Sequence, residues 1–189
     1  MFVAEHEAAH VVVAWRSGTD VDRVSIDWTR EQSRAEVGHE HFDAGTSHQM
    51  GTFRENALVA LAGLVVDENI GAQLAERGIM LTYELPGGIH GDENTAKVMA
   101  FLEAKEDRTV AATMIAPWWA EASELVFQRV EEIHAVRDAL LGAGVLKRED
   151  LERLLGSLPA VEPTTEAERS RCNVEYGAWA ARQAKRMAT

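Results

Sequence analysis

Two histidines four residues apart, with a glutamate directly after the first, form the pattern His6-Glu7-Ala8-Ala9-His10. On a helix, positions i and i+4 share a face, so both imidazoles can reach one metal ion. Zinc suits neutral imidazole and tolerates an open position for water. Glu7 falls to the side of the pair, where it can take a proton from the water whose pKa zinc lowers to about 7. Attack of that water on a polarised carbonyl is peptide hydrolysis. The bland alternative is a surface helix with two solvated histidines. Against it, Val11-Val12-Val13-Ala14 follows at once, which embeds the helix in a core, and Ala8 and Ala9 permit close packing.

Such a centre needs a third protein ligand. The metzincin extension is excluded, because Arg16 stands where its third histidine would fall and Val13 where its glycine would. The residues themselves leave Asp67, Glu68, His39, His41, His90 and Asp92 open. Asp92 follows Gly87-Gly88-Ile89-His90-Gly91, a turn able to carry it to the metal. Its simpler reading is a carboxylate interacting with a helix N-terminus. His39, His41 and His48 read as surface or strand-face residues. His90 reads as a solvated loop histidine, with assistance to a carbonyl oxygen or oxyanion as the sharper alternative.

The elements that must position these residues are mostly helical. A helix from Val3 to about Arg16 stops at Ser17-Gly18. Val24, Ile26 and Trp28 alternate with polar neighbours as a half-buried strand. A second strand is predicted over Ala35 to Phe42, forming a hairpin beside the first helix. A long helix is expected from about Gln49 to Ile70, apolar at Phe53, Ala57, Leu58, Leu61, Leu64 and Val65. A short piece follows from Ala72 to Arg77. Residues Leu85 to Gly91 read as irregular, and helix resumes near Asp92 and continues through Ala104. The stretch Thr109 to Leu141 is helical, with Pro117 as a kink or fresh start. Gly142 to Val145 reads as a break, Lys147 to Leu155 as a short helix, and Thr165 to Met187 as a polar helix after a proline-punctuated linker. The fold class is thus mainly α (α+β), with a small sheet near the N-terminus.

With 189 residues, the chain has room for one domain with a sizeable core, or for one domain plus an appendage. A net charge of -12 and the lack of a concentrated basic stripe argue against nucleic acid as a partner. One cysteine, Cys172, allows neither an intrachain disulfide nor a cysteine zinc cluster, and fits a reducing, cytoplasmic setting. No apolar run reaches membrane-spanning length, and the first residues lack the pattern of a signal peptide, so no membrane anchor is expected. Trp15, Trp28, Trp118 and Trp119 read as core or subunit-contact residues.

Several stretches, in order, resemble one family. His6-Glu7-Ala8-Ala9-His10-Val11-Val12-Val13 resembles the HEAGHA(L/V)V signature of the FtsH-type zinc peptidase domain, the proteolytic half of membrane-bound AAA+ proteases. Ala60 to Glu68 is similar to that family's "LAGRAAEE" helix, and Gly91 to Val98 looks like its "NDLxxAT" helix start. Ala139 to Leu141 and Leu146 to Leu155 resemble its closing leucine-rich pattern. The resemblance covers residues 3 to 156, with Ala9 and Leu64 replacing the family's glycine and arginine. It implies a helical, zincin-like peptidase domain over 1–158 with a helical extension over 159–189. It also implies zinc held by His6, His10 and Asp92, Glu7 as general base, and Glu68 as a supporting acid. The family's ATPase and membrane segments have no counterpart here. The implied activity is an ATP-independent zinc endopeptidase acting on unfolded or flexible polypeptide. Homo-oligomerisation or a separate ATPase or adaptor are the partner expectations. The alternative is a catalytically silent or partner-dependent metal-binding regulator with the same fold.

Overall fold

The computed structural model describes residues 2–26, 35–38, 51–76 and 88–187. Helix α1 (Phe2–Arg16) is buried nearly all round: Ala4, Ala8, Ala9 and Val11 through Trp15 all belong to the core. A helix apolar on every side is one enclosed by its neighbours. It ends where Gly18, at φ 74°, takes the left-handed conformation and Thr19 N–H donates to Ala14 O at 2.9 Å.

The chain then enters a three-stranded antiparallel sheet of order β2-β1-β3, from β1 (Arg23–Ile26), β2 (Ala35–Gly38) and β3 (Val145–Lys147). Val24 sits opposite Val37 on one side and Leu146 on the other. Val24, Ile26 and Leu146 are buried while Arg23 is exposed, the alternation a one-sided sheet requires. The expected hairpin is present, and the third strand was not expected. Gly144, at φ 74°, turns the chain into β3; of the break expected over Gly142 to Val145, Gly142 and Ala143 are still helical, Gly144 is the turn and Val145 opens the strand.

Helix α2 (Phe53–Glu76) lies against α1. A capping box starts it: Glu55 N–H donates to Thr52 Oγ1 at 3.1 Å, and Thr52 N–H donates to Glu55 Oε2 at 2.7 Å. It continues past Ile70 and Gly71 to Glu76, so Ala72 to Glu76 belong to α2 rather than to a separate piece. Helix α3 (Gly88–Glu103) begins before Asp92, correcting the irregular reading of Gly88 to Gly91. Helix α4 (Arg108–Gln128) is capped by Asp107, whose carboxylate accepts from Thr109 and Val110 N–H. It runs through Pro117, and the break falls instead at Arg129, before α5 (Val130–Ala143). A proline removes one backbone donor, and here the helix continues through it with one face packed, at Ala111, Trp118, Ala122 and Val126. Trp118 and Ala122, just after it, are buried.

Helix α6 (Arg148–Leu155) follows β3, and α7 (Pro163–Met187) closes the described chain. Arg169 fastens α7 to the body. Its guanidinium donates to both Glu55 carboxylate oxygens, each at 2.9 Å, and to the carbonyls of Ser17 and Gly18. The end of α1 and the start of α2 are thereby held by one side chain. Readings placed on Trp28, His39, His41, His48 and the end of the second predicted strand lie outside the described residues. Among the described residues, no helix is long and apolar enough to cross a membrane.

Candidate metal centre

The centre is built where α1, α2 and α3 meet. His6 and His10 project from one face of α1, and their rings meet edge to face with centroids 4.6 Å apart. The Nε2 atoms lie 2.9 Å from each other. Asp92, one turn into α3, brings Oδ2 to 3.1 Å from His6 Nε2 and 3.3 Å from His10 Nε2. All three donor atoms fall within 4.8 Å of one another. Both histidines are buried, at 9% and 6% exposure, which rules out the solvated surface-helix reading.

Helix α2 supplies the other half of the arrangement through Val59, Gly63 and Asp67, four residues apart on one face. His10 Nδ1 donates to Val59 O at 2.7 Å, and a carbonyl can only accept, so the proton sits on Nδ1. His6 Nδ1 lies 2.9 Å from Asp67 Oδ2 and donates to it in the same way. Each imidazole in its neutral form therefore aims an Nε2 lone pair at the common centre. Gly63 makes the approach possible: a Cβ there would lie 2.6 Å from His6 Cε1 and from His10 Cε1 and Nε2.

Two lone pairs and a carboxylate oxygen facing one another need a positive charge between them. The electrostatics report the same need. Burial pulls the His6 pKa down, but hydrogen bonds to Asp67 and Asp92 and nearby carboxylate charge outweigh it, and the value is pushed up to about 10. His10 is opposed by burial and also ends raised, chiefly through the charge of Asp92. Burial works against ionisation of Asp92, yet the two histidines hold its carboxyl well below the usual range. A pocket that favours cationic imidazoles also favours a cation of another kind. The donor set of two imidazole nitrogens and one carboxylate oxygen, each imidazole fixed by a partner on its far nitrogen, fits zinc.

Glu7 is buried, at 7% exposure. Burial raises its pKa, the positive charge of His10 and His6 pulls it down, and Asp92 and Asp67 add to the rise, leaving it raised. A carboxylate held in this way is a stronger base than a solvated one.

Of the residues left open as ligands by the sequence, the structure brings Asp92 to the histidines. Asp67 reaches His6 from behind, on the ring nitrogen facing away from the centre. Glu68, the supporting acid implied by resemblance, is exposed, and its neighbour Asp67 makes the bond to His6 instead. His90 lies in α3, and its side chain is outside the described residues. Sequence reasoning missed Gly63 and the Val59 carbonyl. The signal for Gly63 was available, as a lone glycine amid an apolar helix marks a close approach. A carbonyl carries no sequence signal.

A scan against protein-family models matches none, and a search of curated proteins finds no significant relative.

Proposed function

We propose that this protein is a zinc-dependent endopeptidase acting on unfolded or flexible polypeptide. The observation that carries the proposal is the convergence of His6, His10 and Asp92 within 4.8 Å, beside a buried Glu7. Zinc bound by these three residues would supply Lewis acidity, acidifying water and polarising a carbonyl oxygen. Glu7 takes the proton from the attacking water and then delivers it to the leaving amine, a transfer its raised pKa favours. Asp67 and the Val59 carbonyl keep the imidazoles in the tautomer that presents Nε2, and Gly63 keeps α2 close enough to do so. A general base has no use at a purely structural zinc site, which favours turnover over a silent metal site.

Polypeptide is favoured as the substrate because β2 stands at the margin of the sheet next to α1, with one neighbouring strand among the described residues. A marginal strand offers backbone donors and acceptors to an extended segment. The test is hydrolysis of an unfolded protein such as reduced casein, with zinc present. Wild-type activity should fall by about 10²- to 10⁴-fold in Glu7→Gln, the usual worth of a general base, with zinc content equal. Zinc binding without hydrolysis in either protein would replace the peptidase reading with that of a regulator or a partner-dependent enzyme.

A further inference from the structure

Helices α2, α3 and α4 enclose a cleft of about 480 Å³. Its walls are apolar: Leu61 and Leu64 from α2, Ala96 from α3, Ile115 and Trp119 from α4. Its charged lining is Asp67, Glu68, Glu93 and Lys97. Asp67 belongs to both places, since the carboxylate that receives His6 Nδ1 also lines the cleft. The cleft therefore abuts the metal centre, one side chain away.

Three carboxylates against one ammonium leave this lining acidic, and their partners differ. Asp67 is engaged by His6, and Lys97 pairs with Glu93 one turn away on α3. Glu68 is exposed and has no ion pair or hydrogen bond among the described residues. The volume lies in the range of small-molecule pockets, large enough for one aromatic or branched side chain. An apolar chamber with a carboxylate that has no partner among the described residues at its charged lining complements an apolar residue that has a basic neighbour.

We infer that this cleft is a substrate subsite taking a bulky apolar side chain of the polypeptide, with Glu68 engaging an adjacent lysine or arginine. The inference rests on the polypeptide reading of the centre and names the residues that reading would select. The apolar walls supply affinity by removing the side chain from water. Glu68, being exposed, contributes selection by charge more than strength. Asp67 couples the two sites, because whatever occupies the cleft lies against the carboxylate that orients His6.

The test is binding to the full chain carrying Glu7→Gln, zinc-loaded, so that no turnover is required. Fluorescein-labelled peptides of glycine and serine would carry Lys-Phe, Lys-Ala or Glu-Phe at the centre, followed by fluorescence anisotropy. Lys-Phe is expected to bind at least about tenfold more tightly than Lys-Ala, the lower end for burying one aromatic side chain. Adding Ile115→Trp, which fills the cleft, should erase that preference. Adding Glu68→Lys should reverse the preference between Lys-Phe and Glu-Phe. Peptides that bind equally well whatever the central pair, or preferences untouched by both added substitutions, would overturn the subsite. Selective binding in a protein whose wild type hydrolyses nothing would count against the peptidase reading alone. Hydrolysis with no such preference would count against the subsite alone.

Discussion

Helix α2 meets the rest of the protein in two different ways along its length. Its middle, at Val59, Gly63 and Asp67, presses against α1 so closely that even one methyl group at Gly63 has no room. Its first turn, at Glu55, is held by a single buried guanidinium reaching over from α7. The first contact is a packed surface that positions donor atoms. The second is a polar clasp from α7, whose inner side adds Cys172 to the core while its outer side is solvated, with Val174 74% exposed. Precision of geometry and attachment of α7 thus rest on different chemistry along one element.

The two contacts should fail differently. Arg169→Met removes the cation from a pair that is 6% and 15% exposed, and leaves the Glu55 carboxylate and the Ser17 and Gly18 carbonyls without it. Breaking a buried pair costs about 3–5 kcal/mol, so thermal or urea unfolding should show a large loss of stability. Zinc stoichiometry at low temperature should be unchanged. Gly63→Ala should do the reverse. An overpacked contact costs about 1–3 kcal/mol, a smaller loss of stability, but the two rings must move apart and zinc binding should be lost. A variant set in which both properties always fall together would dissolve the distinction between the contacts. Smaller again is Asp67→Asn, which keeps the shape but weakens the hold on His6. Zinc affinity measured by competition with a chromogenic chelator should fall by about 10- to 100-fold, as for other residues that orient a liganding histidine.

Much of the centre was legible from sequence because its chemistry is local. His6, Glu7 and His10 lie within one turn and a half of helix, and their valine-rich sequel announced burial. Asp92 lies 86 residues from His6 and was reached through the resemblance of its helix start, since spacing left several carboxylates and histidines open. Asp67 and Glu68 could not be told apart by pattern. Which of two adjacent acids faces a ligand depends on the rotation of α2, set by its packing on α1. The helices were legible where apolar stripes were long, as in α2. The errors fell where local signals contradicted the tertiary outcome. Gly88 and Gly91 were taken into α3, Pro117 was carried within α4, and Arg129 divides α4 from α5 with no breaker residue. Strand β3 escaped because three residues are too few for an alternation to register, and its pairing with β1 is a long-range event.

The most direct measurement is a zinc titration of the wild-type protein and of Asp92→Ala, by calorimetry on metal-free chain at neutral pH. One zinc ion per chain should bind the wild type, with protons released as the imidazoles give up their acid forms. Asp92→Ala should lose that binding, because α3 would no longer bring a carboxylate oxygen to the two histidines. Wild-type protein that binds no zinc, or binding indifferent to Asp92→Ala, would contradict the metal centre on which the proposed function depends.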